Sequence, residues 1–184
     1  MVNDCTRARV ATFLGTMKLK DGTPVIPVAS MVDYLLEKGF FTAPASSRFH
    51  LAEPGGLFEH SRNVTATLLD LTEREGLVWQ KERSPYIVGM FHDLCKADQY
   101  IYNESDGTYT YNKEALLKGH GEKSVILLSK FFTLTEEEIA CIVYHMGAFT
   151  DRDQWGDYTR AIHKFPNVLW THQADMIATH IVER

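Results

Sequence analysis

Apolar residues recur at helical spacing over most of this chain. "VASMVDYLLEKGF" (28–40) carries them three and four apart with a glycine near its end, the pattern of a short packed helix. In "LFEHSRNVTATLLDLTEREG" (57–76), His60, Val64, Leu68 and Leu71 share one stripe and Gly76 follows the last turn, which puts His60 on the inward face. "SPYIVGMFHDL" (84–94) reads as a helix with Ser84 as N-cap and Pro85 at the first helical position, running apolar into His92. "GHGEKSVILLSKFF" (119–132) and "TEEEIACIVYHMGAF" (135–149) predict two more. The second of these opens with Thr135 and Glu138 at capping-box spacing and places three acids at the positive helix end. The last helical stretch, "FPNVLWTHQADMIATHIVER" (165–184), has Pro166 near its start.

One segment has a different period. "YIYNESDGTYTYN" alternates β-favouring residues on either side of a Ser-Asp-Gly turn, which predicts a β-hairpin at about residues 100 to 111. "LKDGTPVIPVAS" and "TAPASSRFHLAEPGG" are punctuated by Pro and Gly and read as surface connections. The expected fold class is all-α, a helical bundle with one small hairpin inserted. No repeat, low-complexity run or linker divides the chain, so a single domain over residues 1–184 is expected, with N-terminal helices from residues 1–49 packed on the remainder.

Composition narrows the function. A chain of 184 residues with 45% hydrophobic content can build one well-buried core. A net charge of −5 and a pI near 5.9 argue against a broad electrostatic grip on nucleic acid and favour small partners met in a local pocket. The start, "MVNDCTRARVATFLG", lacks the apolar core of a secretion signal, and no apolar run approaches the roughly 20 residues a membrane span needs, so a cytoplasmic location and no membrane partner are expected. Cys5, Cys95 and Cys141 are odd in number and far apart, as reduced thiols are.

The candidate chemistry lies in ionisable residues set among apolar ones. "GMFHDLCKAD" (89–98) places His92 directly before Asp93, with Lys96 one turn further on. His120 stands between two glycines, His145 closes the apolar face "IACIVYH", and Asp175 interrupts "VLWTHQADMIATH". Each of these, like His60, taken alone is an ordinary core or solvated residue. Together, five predicted helices each bring an imidazole or a carboxylate to an apolar segment, and a helical core cannot bury so many without a shared partner. Imidazoles and carboxylates suit intermediate divalent ions such as Fe, Mn, Co, Ni or Zn; thiolate-rich structural zinc is not indicated.

In order and type, His60, His92-Asp93, His120, His145 and Asp175 resemble the H…HD…H…H…D signature of the HD-domain metal-dependent phosphohydrolases, over roughly residues 50 to 184. The resemblance implies a compact helical bundle with the site between its helices. It implies that His60, His92, Asp93 and Asp175 hold one ion, and that Asp93 bridges to a second held by His120 and His145. Two such ions roughly 3.5–4 Å apart share and acidify a water for in-line attack on phosphorus. Lys96 falls in an HDxGK-like stretch and would neutralise charge on the transferring phosphoryl group. Cys95 departs from the pattern, standing where glycine is frequent, and "YHM" supplies one histidine where the cyclic-dinucleotide phosphodiesterases of the superfamily show a pair.

The expected substrate is therefore a small phosphate ester, a nucleotide or a relative of one. The alternatives are 3′-end exonuclease action, which the acidic charge disfavours, and a nucleotide sensor that does not turn its ligand over. The four Tyr residues of the hairpin read as cross-strand pairs before they read as a stacking surface for a base. His50, His163, His172 and His180 receive no catalytic role, although His172, three residues before Asp175, can line the pocket.

Overall fold

Eight α-helices and one β-hairpin make up the computed structural model, which describes residues 3–103, 105–117 and 119–184. Glu104, within the expected hairpin, Lys118, in the stretch before His120, and the side chains of Val28 and Ala29 lie outside that description. In chain order the elements are α1 (Asp4–Thr16), α2 (Val28–Lys38), α3 (Gly56–Glu75), α4 (Ser84–Phe91), β1 (Tyr100–Asn103), β2 (Thr108–Tyr111), α5 (Gly121–Leu128), α6 (Glu136–Val143), α7 (Trp155–Lys164) and α8 (Asn167–Ile177). A 3-10 turn over Leu94–Asp98 follows α4, and a π-helical turn over Ala178–Val182 continues α8.

Helix α3 is the spine. Its stripe of His60, Val64, Leu68 and Leu71 is buried as the spacing predicts, with α4 packed along one flank and α8 along another. The α3–α4 approach is close because of Gly89, where an added Cβ would stand 2.6 Å from the Cα of Thr65. Helix α6 lies against both α4 and α8, and α5 bridges α6 to the 3-10 turn. One hydrophobic cluster runs from Phe13 and Met17 through Phe40, Phe41, Phe58 and Phe91 to Val168 and Ala178. Its aromatic rings meet edge-on or tilted, with Phe40–Phe41 centroids 5.3 Å apart and Phe13–Phe91 centroids 6.1 Å apart. Among the described residues no helix is long and apolar enough to cross a membrane.

The hairpin forms where the alternation predicts it, antiparallel with Tyr100 opposite Tyr111 and Tyr102 opposite Tyr109. Both pairs are in ring contact, at 5.3 and 5.1 Å, so the tyrosines hold the hairpin together. The capping box at α6 also forms: Thr135 Oγ1 accepts from Glu138 N, and Glu138 Oε2 accepts from Thr135 N.

Several boundaries differ from expectation for identifiable reasons. Ser84 is not the N-cap of α4 but its first residue, because its hydroxyl donates instead to the buried Glu138 carboxylate at 3.0 Å. Helix α5 begins only after His120 and stops at Leu128, and α6 stops at Val143, so His120 and His145 flank helices and do not sit within them. Helix α7, not among the expected helices, lacks any fully buried residue and is held by one face of the partly buried Tyr158, Ala161 and Ile162, spaced three and four apart. The stretch 42–56 is only partly a surface connection: Ala43, Ala45 and Ser46 are buried, and Arg9 of α1 donates to the carbonyls of Phe41 and Pro54.

Replacing Gly89 with alanine forces the α3 and α4 backbones apart and is expected to cost about 1–3 kcal/mol, the usual range for overpacking. Urea unfolding of Gly89→Ala beside the wild type checks this.

Candidate metal centre

Helix ends do most of the positioning. His92 occupies the C-cap of α4, and Asp93, at φ −104° and ψ 17°, leaves the helical path before the 3-10 turn begins. This change of pitch lets two adjacent side chains face the same interior point. His120 precedes α5, next to Gly119 in a left-handed conformation, and His145 follows the end of α6. His60 and Asp175 come from within α3 and α8.

All six residues converge. The Asp93 carboxylate lies at the middle and its two oxygens divide the cluster: Oδ1 is 2.8 Å from His120 Nε2 and 3.4 Å from His145 Nε2, while Oδ2 is 3.5 Å from His92 Nε2 and 3.7 Å from His60 Nε2. Asp175 Oδ1 is 3.2 Å from His60 Nε2. Groups competent to hold an ion, with donor atoms within 4.8 Å of one another, are His60/His92/Asp93, His92/His145/Asp175 and Asp93/Cys95/His120, with His50/His60/Glu183 behind the first of them. The side chains of His60, His92, Asp93 and His145 are 3% exposed or less, whereas His120, at 30%, stands at the open side.

The far nitrogens show what the near ones are for. His92 Nδ1 lies 2.9 Å from the Gly89 carbonyl, His145 Nδ1 2.6 Å from the Ile142 carbonyl, and His60 Nδ1 3.1 and 3.2 Å from the two oxygens of Glu183. A carbonyl or carboxylate oxygen only accepts, so each of these rings keeps a proton on Nδ1 and, when neutral, turns the lone pair of Nε2 into the cluster. His60 Nε2 and His92 Nε2 approach to 3.2 Å, so the two nitrogens face the same point. Asp93 Oδ1, His120 Nε2 and His145 Nε2 are buried with no hydrogen-bond partner; they face one another at contact distance without hydrogen-bond geometry. Such a set of inward, unpaired donors fits divalent cations and fits little else.

Charge follows the same logic. Burial alone would keep Asp93 protonated, but Lys96 Nζ, 2.6 Å from Oδ2, and the surrounding histidines hold its carboxyl well below the usual range. Burial pushes the His92 imidazole down to about 4, so it stays neutral. Burial also opposes a charge on His60, yet its bonds to Asp175 and Glu183 outweigh that and hold its pKa up at about 9. Asp175 is held below the usual carboxylate range by His60 against the effect of its burial.

The structure thus brings His60, His92, Asp93, His120, His145 and Asp175 together with Lys96, whose ammonium pairs with Asp93. Cys95 Sγ sits 3.5 Å from His120 Nδ1, and burial pushes its thiol up to about 12. His172 meets no side chain of the cluster; its Nδ1–H donates to the His145 carbonyl, 2.9 Å away, and so steadies the loop that carries His145. Two residues beside His60 are assigned no role by the sequence. Glu183 follows the last helical turn without any pattern to mark it, and His50 lies in a Pro/Gly-punctuated loop, its ring 5.1 Å from that of His60.

In metal-free protein His60 must carry a proton. A pKa raised above its unfolded value contributes stability that is complete below about 6.5 and is lost as pH rises through about 9. Chelator-stripped protein is therefore expected to lose thermal stability across that window and His60→Gln protein to lack this loss, which melting temperatures over a pH series check.

The family model described as HD domain matches residues 57–174, more than half of the chain, and Asp175 lies immediately beyond the matched span. No curated protein and no solved structure matches the chain.

Proposed function

Since the chain belongs to the HD-domain family, a group of characteristically metal-dependent hydrolases, we propose that it is a phosphohydrolase cleaving a phosphate ester of a nucleotide or related small molecule. The observation that carries this reading is the division of the Asp93 carboxylate, one oxygen toward His60 and His92 and the other toward His120 and His145. On this reading His60, His92, Asp93 and Asp175 hold one divalent ion, and Asp93, His120 and His145 hold a second. Fe, Mn, Co, Ni or Zn bound there supplies Lewis-acid charge and acidifies a water for attack on phosphorus.

The chain's own groups do the rest. Asp93, whose two oxygens face the two groups of histidines, would be shared between the ions. Lys96 balances its charge, and the ammonium, already at the centre, can turn to a phosphoryl oxygen. Substrate has room beside His120, where a cavity of about 500 Å³ is lined by Gln99, Tyr111, Asn112, Lys113 and Lys123. That volume suits a small ligand, and Lys113 suits an anionic one, Lys123 being paired with Asp98. A net charge of −5 favours such a ligand over a nucleic-acid strand.

The test is a panel of nucleotide mono- and diesters with added Mn or Fe, alongside elemental analysis of bound metal. Asp93→Ala is expected to lose both ions and all phosphate release. Lys96→Ala is expected to retain the ions while kcat falls about 10²–10³-fold, the usual loss for one charge-stabilising donor. Tight nucleotide binding with no release in the metal-loaded wild type overturns the enzyme reading in favour of a sensor.

A further inference from the structure

His60 differs from the other three imidazoles of the cluster in what stands behind it. The rings of His92 and His145 are backed by neutral main-chain carbonyls and that of His120 by a thiol, but His60 Nδ1 meets a carboxylate, both oxygens of Glu183 lying 3.1–3.2 Å away. The Glu183 side chain is 1% exposed, and among the described residues it pairs with no lysine or arginine. Its remaining bond is from Asn63 Nδ2 to Oε1, at 3.1 Å, and Asn63 stands one turn after His60 on α3. Its backbone N–H donates to the Ala178 carbonyl, five residues back, closing the π-helical turn at 3.0 Å. π-Turns inside helices recur at functional sites, where they re-aim the residues that follow. One chain segment thereby grips both nitrogens of a single imidazole, Asp175 at Nε2 and Glu183 at Nδ1.

We infer that Glu183, braced by Asn63, is the positioning residue for His60: it fixes the ring's tautomer and aim, and so sets the affinity of the ion that His60, His92, Asp93 and Asp175 hold. A carboxylate behind a ligating imidazole keeps the proton on the far nitrogen and makes the near one a better donor. The ion held by Asp93, His120 and His145 makes no use of that contact. This selectivity separates positioning from general support of the fold. The inference rests on the metal-binding reading above.

The test titrates Mn²⁺ alone into the metal-stripped full chain by calorimetry, for wild type, Glu183→Ala, Glu183→Gln and Asn63→Ala. Glu183→Ala is expected to weaken one ion about 10–100-fold, the usual cost of losing such a partner, and to leave the other unchanged. Glu183→Gln keeps an acceptor for Nδ1–H without the charge, so a loss of a few-fold at the same ion is expected, with a smaller one for Asn63→Ala. If Glu183→Ala does not fold, the Gln variant decides, and wild-type affinity in it overturns the inference. Equal weakening of both ions together with a lowered melting temperature marks a structural role and also overturns it. Wild-type protein that takes up no ion overturns the metal-binding reading itself, whereas two wild-type affinities in every variant overturn only the role of Glu183.

Discussion

The buried charge of Asp93 is the constraint around which the remaining structure is arranged. A lone carboxylate at 2% exposure would be neutralised by protonation, since the cost of desolvating the anion is several kcal/mol. Here it stays ionised, and so does Asp175, with Glu183 close behind His60. Lys96 and a protonated His60 supply two positive charges against these three negative ones. The balance is short by one, at a point where the Nε2 atoms of neutral rings also point inward. A cluster that is both electron-rich and net negative is one that cations would complete, and this makes the geometry informative about chemistry as well as about packing.

The fold supplies this arrangement by reusing its helix ends. The last carbonyls of a helix have no partner within it. At α4 the Gly89 carbonyl takes the Nδ1–H of His92, and at α6 the Ile142 carbonyl takes the Nδ1–H of His145, each three residues back from the histidine. One hydrogen bond thus completes the helix terminus, selects the imidazole tautomer and aims Nε2 at the centre. Such a bond cannot be kept while the ring turns elsewhere, so the termination of each helix and the orientation of each ligand are a single event. Gly89 takes part twice, through this carbonyl and through the close approach of α3 that its missing side chain permits.

What could be read in the sequence follows from these devices. The α3 stripe gave the inward face of His60 because burial has a 3.6-residue period. The hairpin was legible because alternation and a Ser-Asp-Gly turn agree, and the α6 capping box because it is a local exchange between residues three apart. The order of the six candidate residues pointed to their convergence through a family resemblance, and the distances now show them together. Other features were hidden for equally physical reasons. Ser84 serves a carboxylate 54 positions away, so its capping role could not be judged locally. Glu183 meets His60 across 123 positions, and nothing in the residues around it signals that contact. Lys96 was expected to face a phosphoryl group, and its pairing with Asp93 reflects the electrostatics of the cluster when no substrate competes for it.

The two halves of the cluster differ at one ring, His120, since His145 is buried and bonded to the Ile142 carbonyl much as His92 is to that of Gly89. On the side of His60 and His92 every far nitrogen is committed to an acceptor, and the side chains are almost wholly buried. On the other side His120 is backed only by Cys95, whose neutral thiol can give a proton to Nδ1 or take a bond from it, so neither tautomer is fixed by its partner. It is also the most exposed of the four rings, and the cavity with Lys113 and Lys123 opens beside it. On the proposed reading, a site that has to keep its ions while exchanging its substrate would benefit from this asymmetry, the braced rings holding metal and His120 adjusting to the ligand. The cysteine that breaks the expected glycine position therefore backs the ring whose tautomer its partner leaves open.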